Sequence, residues 1–196
     1  MRLTSENKKK ITDKVRAAAA KVFRAKGYDA VTLDMLMHEA GLTRGAFYAH
    51  YKSKAAVFAD VMRAEHPVLT MLVQRDGETA RELHQQMMQI FRDYLTHAHL
   101  EEVFCGCTLA SLTGDATRAN DDVRTGFGMA LDAILAEMAR GQGRQAGDYA
   151  SALILSAGAV RTARAVTDDK QQEVLLSAAL AGFQKLLPDP ITASTA

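Results

Sequence analysis

The chain has 196 residues, with 24 Lys+Arg against 23 Asp+Glu and a formal net charge of +1, a length that holds one or two domains with a sizeable core. No apolar run reaches the roughly 18 residues of a membrane span, no signal peptide precedes the first expected helix, and two cysteines are too few for a disulfide framework, which together point to a cytoplasmic protein with no membrane partner. The charge is unevenly divided: residues 1–54 hold 12 Lys+Arg and 5 Asp+Glu, a balance of +7, and the rest of the chain carries −6, the footprint of a nucleic-acid-binding head on a body with other tasks.

The spacing of Ile11, Val15, Ala18, Ala19, Val22 and Phe23 predicts a first helix over Ser5–Lys26. The run Lys8-Lys9-Lys10 reads equally as a solvated helix start and as an arm on DNA phosphates. Thr32 is placed to cap a helix whose inward residues are Leu33, Leu36, Met37 and Ala40, and Gly41 is placed to close it. Thr43 can cap the next helix, which extends to about residue 51 and buries Phe47 and Tyr51. Its other face is Arg44, Gly45, Ala46, Tyr48, Ala49 and His50. A guanidinium, small residues that allow close approach, a phenol and an imidazole suit a DNA groove better than a protein core. Ser53 can cap a fourth helix that buries Val57, Phe58, Val61 and Met62, and Pro67 should kink or end it.

Helix continues through the rest of the chain, which contains three prolines, at 67, 188 and 190, and no alternating strand pattern. A helix is expected over Glu78–His99, on Leu83, Met87, Ile90, Phe91, Tyr94 and Leu95; a break near Cys105-Gly106; a short helix ending at Gly114; and a long one over Ala116–Arg140, on Val123, Phe127, Leu131, Ile134, Leu135 and Met138. Gly141, Gly143 and Gly147 mark a loop before two last helices, Asp148–Val166 and Asp168–Leu187. These two mix small residues (Ala157, Gly158, Ala159, Ala178, Ala179, Gly182) with Leu153, Ile154, Val160 and Val174. They form either an internal hairpin or half of a twofold four-helix interface.

Two short helices joined at a Gly turn, over about 32–51, make a helix-turn-helix whose second helix reads the major groove. On the run Gly41-Leu42-Thr43-Arg44-Gly45-Ala46-Phe47-Tyr48-Ala49-His50-Tyr51-Lys52-Ser53-Lys54, with Ala25-Lys26-Gly27-Tyr28 and Val31-Thr32-Leu33 before it, residues 8–68 resemble the DNA-binding domain of the TetR family of transcriptional regulators. Met37 and His38 depart from the family's usual small and charged residues there.

The resemblance implies an all-α, nine-helix fold. Its DNA-binding domain is 8–68, and 69–188 binds ligand and dimerises. It implies a homodimer on a double-stranded palindromic operator, with Arg44, Gly45, Ala46, Tyr48 and Ala49 in the groove and Thr32, Thr43, His50, Lys52 and Lys54 beside the phosphates. It further implies a repressor released by a small-molecule or electrophile effector, with Phe91, Tyr94, Phe104, Cys107, Ser111 and Phe127 as pocket candidates. The pattern Phe104-Cys105-Gly106-Cys107-Thr108-Leu109 is similar to a TetR subgroup in which the residue matching Cys107 senses oxidants or electrophiles in some members. A thiol at a helix start faces partial positive charge that favours thiolate, and Cys105 is its possible disulfide partner. A buried thiol that only packs is the competing account.

Asp93, His97 and His99 have the spacing of metal ligands, yet histidines at a helix end also cap carbonyls, and no metal is assigned. No cofactor is implied, and no phosphate loop, nucleotide fingerprint or nucleophile elbow marks an enzyme. A constitutive DNA-binding protein and a small helical metal-binding or enzymatic bundle stay open as alternatives.

Overall fold

The computed structural model of the protein describes residues 5–102 and 106–191. The described residues contain eleven α-helices and one short 3-10 turn, and no strand. They group into two compact units. The first holds residues 5–66 with 106–130, and the second holds residues 67–102 with 131–191.

In the first unit, α1 runs Ser5–Ala30, with a break inside it at Gly27. Gly27 has φ 74° and ψ 168°, a region essentially closed to side chains with a Cβ. The chain therefore turns directly after the expected helix end at Lys26, and the Tyr28 amide donates to Asp115 Oδ1 at 3.1 Å instead of to its own helix. α2 is Leu33–Glu39, α3 Arg44–Phe47 and α4 Lys54–Ala64. α8, Thr108–Arg118, and the first half of α9, Asp121–Ala139, complete this unit. The central helix α1 packs on α2, α4 and α8. Its buried face is Val15, Ala18, Ala19, Val22 and Phe23, as its spacing requires. Phe23 meets Phe58 of α4 edge-on, with centroids 4.9 Å apart. Truncating either fully buried ring to Ala would cost about 3–5 kcal/mol.

In the second unit, α5 is Pro67–Val73, α6 Ala80–Tyr94 and α7 His97–Glu101. α10 is Ala150–Arg164 and α11 Asp169–Leu186, with a 3-10 turn at Ala146–Tyr149 leading into α10. α10 and α11 pack against each other along their length. Phe91 of α6 stacks on Phe183 of α11 at 4.5 Å. Buried Arg75 donates through Nε to Leu72 O at 3.0 Å and through Nη1 to Leu83 O at 3.1 Å, which ties the end of α5 to α6. The Leu72 carbonyl lies in the last turn of α5, where carbonyls lack an amide partner of their own helix.

Beyond the helix-turn-helix, the boundaries differ from the sequence pattern in four places. Pro67 ends α4 and also opens α5, because its fixed φ suits a first helical position and its missing N–H is not needed there. The helix expected over 78–99 stops at Tyr94; Thr96 then accepts from the His99 amide and starts α7. These two short helices account for eleven where nine were expected. α8 runs on through Gly114 to Arg118, and α9 begins at Asp121 rather than 116, where Asn120 Oδ1 caps the Val123 amide at 3.2 Å. The α-helix expected from Asp148 begins at Ala150, after the 3-10 turn.

Candidate nucleic-acid interface

The turn between α2 and α3 is built from the α2 C-terminus. Gly41, at φ 62°, donates to His38 O at 3.0 Å, and Leu42 donates to Met37 O at 2.9 Å, which is the Schellman closure with Gly in the left-handed position. Thr32 caps the start of α2 by accepting from the Met35 amide at 3.3 Å, and Ser53 caps α4 by accepting from Ala56 at 3.1 Å. Thr43 occupies the N-cap position of α3 but makes no side-chain capping bond. α3 itself is α-helical only to Phe47 and continues as turns to His50, with His50 and Tyr51 both donating to Phe47 O at 2.9 Å.

Phe47 is fully buried and Tyr51 nearly so. The Tyr51 hydroxyl donates to Asp60 Oδ2 at 2.6 Å, and burial, then this hydrogen bond, push the phenol far above its ordinary pKa. Arg16 closes the group, with Nη1 3.6 Å from Asp60 and Nε 2.9 Å from Glu65. Two anchored aromatic rings thus hold a short helix by one face. The other face, Arg44, Gly45, Tyr48 and Ala49, stays exposed, and Ala46 is half-buried. Tyr48 is 60 % exposed, with its ring edge-on to Phe47 at 5.4 Å, and a Cβ built at Gly45 would meet nothing within 4 Å.

Several partners here have no signature in the sequence. Arg44 Nη1 donates to Asp34 at 3.1 Å, and both side chains are more than half exposed. His50 Nδ1 lies 2.8 Å from Thr12 Oγ1, whose own proton goes to Lys8 O at 3.0 Å, so Nδ1 is the donor and neutral Nε2 is an acceptor. Burial, then the Lys8 charge, lowers the pKa of His50. Lys54 Nζ donates to Tyr28 O and Val31 O, each at 2.9 Å, and sits 4.2 Å from the Tyr28 ring centroid. It therefore caps the end of α1. Lys52 is exposed, as are Thr32 and Thr43.

The pocket candidates divide between the units. Phe91 and Tyr94 are buried in the second unit, with Tyr94 against His99 at 4.6 Å. Cys107, Ser111 and Phe127 belong to the first unit, where Phe127 packs on the core and Cys107 is 2 % exposed at the N-cap of α8. Phe104 and Cys105 lie outside the described residues. Asp93 accepts from Gln89 Nε2 at 2.8 Å and His97 Nε2 lies 3.6 Å from Asp169. Among the described residues no group of three His, Cys, Asp or Glu is gathered as a metal set, and no helix is long and apolar enough to cross a membrane.

Residues 15–61 match the family model described as bacterial regulatory proteins, tetR family. Over 68 residues the chain is 37% identical to the uncharacterized HTH-type transcriptional regulator TtgW of Pseudomonas putida; the match covers 34% of this chain and 51% of that protein, about half its length. Among solved structures, E. coli NemR in its reduced form superposes with a TM-score of 0.70 at 18% identity, over 93% of this chain and all of that one. SCO4454, a TetR-family transcriptional regulator from Streptomyces coelicolor, superposes at 0.62 and 16% identity, over 91% and 95%. The N-terminal segment is thus similar to the helix-turn-helix of tetR-type transcriptional regulators, and the chain has the all-helical fold of those structures.

Proposed function

We propose that the protein is a ligand-responsive transcriptional repressor that binds a palindromic operator as a homodimer, with residues 8–68 as its DNA-binding domain and 69–188 as its ligand-binding and dimerisation domain. The carrying observation is the exposed face of α3. Arg44, Gly45, Tyr48 and Ala49 stand clear of the core while Phe47 and Tyr51 anchor the same helix from behind, in the basic third of the chain. Arg44 is the residue for a guanine edge, since Arg-to-guanine is the commonest specific contact. Thr32, Thr43, His50, Lys52 and Lys54 border that face and are assigned to phosphates.

The dimer is supported by α10 and α11. Ile154 and Val174 are each about two-thirds exposed, at 68% and 67%. Beside them an open hollow of about 390 Å³ is lined by Leu155, Gly158, Ala159, Leu175 and Ala178. Exposed apolar side chains around small residues suit a second copy of the same hairpin. Two recognition helices about 34–36 Å apart meet successive major grooves. An effector that prefers a state with another spacing releases the DNA, by as much as its affinities for the two states differ. A small molecule is the effector we favour over a thiol reagent, because a reagent must first open the interior to reach a sulfur that is 2 % exposed. A regulator of this kind works on DNA in the bacterial cytoplasm.

Selection of bound duplexes from a random pool tests this reading. The expected product is an inverted repeat with half-sites about one helical turn apart or a multiple of it, bound by two chains. Equal affinity for selected and random DNA at the same salt would instead favour the constitutive, sequence-independent binder.

A further inference from the structure

The first unit contains a cavity of about 230 Å³ between the end of α1, the start of α4 and the α8–α9 corner. Its apolar wall is Ala55, Phe58, Ala119 and Val123, and its polar rim is Tyr28, Asp29, Asp115, Arg118 and Asn120. None of these residues belongs to the pocket candidates read from the sequence.

Three features give the cavity a sign. Asp115 is a carboxylate whose side chain is only 14% exposed. It accepts the Tyr28 amide, and its ion-pair contact is Arg118 Nη2 at 3.4 Å, from a side chain that is 66% exposed. Such a loose pair is worth little and is readily exchanged. Second, two helix C-termini converge here, those of α1 at Tyr28–Asp29 and α8 at Arg118–Ala119. Their carbonyl ends carry partial negative charge. The α1 end already holds the Lys54 ammonium through Tyr28 O and Val31 O, which shows what such an end accepts and leaves the α8 end and Asp115 to face the cavity. Third, the opposing N-terminus of α9 is already neutralised. Asn120 caps the Val123 amide, and Asp121 and Asp122 stand in its first turn.

We propose that this cavity binds a small organic monocation carrying an apolar group, with Asp115 as its counter-ion in place of Arg118. Phe58 and Val123 receive the apolar part. The volume lies just below the range of drug-sized pockets, about 300–1,000 Å³, which sets the ligand class as small amines and amidines. The site touches α1, α4 and α8 within one unit, so an occupant contacts the helix that follows the recognition helix directly.

The test uses the full chain without DNA, so its outcome does not depend on the regulatory reading. Phenethylammonium is titrated against the neutral 2-phenylethanol and the anionic phenylacetate by calorimetry, with amide NMR to locate the site. Phenethylammonium should bind at least about tenfold more tightly than the alcohol, as expected for a charged hydrogen bond against a neutral one, and shift the amides of Tyr28, Phe58 and Asn120. Asp115→Asn, which keeps an acceptor for the Tyr28 amide, should lose that preference. Arg118→Gln should tighten phenethylammonium, because the competing cation is gone, and Ala55→Leu should abolish binding while the protein melts as a folded helical chain. If Asp115→Asn does not fold, the other two variants read the same quantity. Equal binding of all three probes, tighter binding of phenylacetate, weaker binding in Arg118→Gln, or shifts confined to other residues would each overturn the proposal.

Discussion

Two faces of this protein stay exposed within ordered helices, and they differ in kind. On α3 the exposed residues are Arg44, Gly45, Tyr48 and Ala49, a cation, a phenol and two small residues, with Asp34 as a loose partner. On α10 and α11 they are Ile154 and Val174 with Gly158 and Ala178 between, and no charge among them. Folding has left both uncovered for opposite reasons. A charged helix face is stable in water and gains from a polyanion; an apolar one is exposed at a cost of about 25 cal/mol per Å² until something apolar covers it. The first face is therefore the one proposed for DNA, and the second the one proposed for another copy of itself.

The largest expected effect comes from exchanging the chemistries. Ile154→Asp with Val174→Asp places carboxylates on the apolar face without touching the monomer core, since both positions are about two-thirds exposed. Ala179, at 4 % exposure, is unsuitable because a charge there would unfold the hairpin itself. In a dimer each unpaired buried charge costs about 3–5 kcal/mol, so sedimentation should show monomers with an unchanged helical spectrum and lost operator affinity. A dimer that survives both changes moves the interface elsewhere.

The complementary change on α3 is Arg44→Ala. It should cost about 1–3 kcal/mol of operator affinity and relax specificity at one position per half-site, while random DNA is bound nearly as before. Asp34→Asn should act in the other direction, because an exposed pair holding Arg44 back is worth about 0–1 kcal/mol. A gel-shift series on operator and random duplexes separates the two; equal losses on both DNAs for Arg44→Ala would remove it from base reading.

Lys54 tests where the basic face ends. Its ammonium is spent on Tyr28 O and Val31 O, so Lys54→Ala should lower stability by about 1–3 kcal/mol through two charge-assisted bonds. If Lys54 also neutralises a phosphate, the slope of log K against log salt falls by about one. Urea melts and a salt series on one variant decide which part dominates.

Much of this was legible in the sequence, because the helix-turn-helix is written in local chemistry. Thr32, Gly41 and Ser53 act where capping rules put them, and Phe47 and Tyr51 bury as their spacing demands. What was not legible is nonlocal or depends on competition at helix ends. Arg44 and Asp34 are ten residues apart across a turn, and Thr12 and His50 thirty-eight apart. Asp115 finds the Tyr28 amide from eighty-seven residues away, because Gly27 breaks α1 and frees that donor. Pro67 reads as a stop for α4 but also starts α5, and the Thr96 cap divides an apolar pattern that by itself favours one long helix. The burial of Phe91 and Tyr94 in one unit and of Cys107 in the other, with Phe127 partly buried against that other unit's core, follows from packing that no short pattern encodes.

A smaller effect distinguishes the two threonines. Thr32→Ala removes the α2 cap and should cost about 1 kcal/mol of stability, whereas Thr43 caps nothing, so Thr43→Ala should leave the melting temperature unchanged and weaken DNA binding alone. A loss of stability in Thr43→Ala would remove its assignment as a purely DNA-facing hydroxyl.

The smallest expected effect lies in His50, at the border of the charged face. Burial and Lys8 lower its pKa in the free protein, so near neutral pH the ring is uncharged and its Nε2 accepts rather than donates. A phosphate beside Nε2 would favour the cation, so binding DNA should draw a proton onto the ring. Affinity linked to proton uptake rises as pH falls, and here it should do so below the ordinary histidine value of about 6.5. Folding stability runs the opposite way: a lowered native pKa means the unfolded chain binds more protons, so this contribution to stability is lost as pH falls through the same region. Melting and DNA binding should therefore move in opposite directions as pH falls from about 7.5 to about 6 at constant salt. His50→Gln, which cannot charge, should flatten the affinity profile. A parent and a variant with the same pH slope would show that the phosphate nearest this corner is held by another group, and the charged face would then end at Lys52.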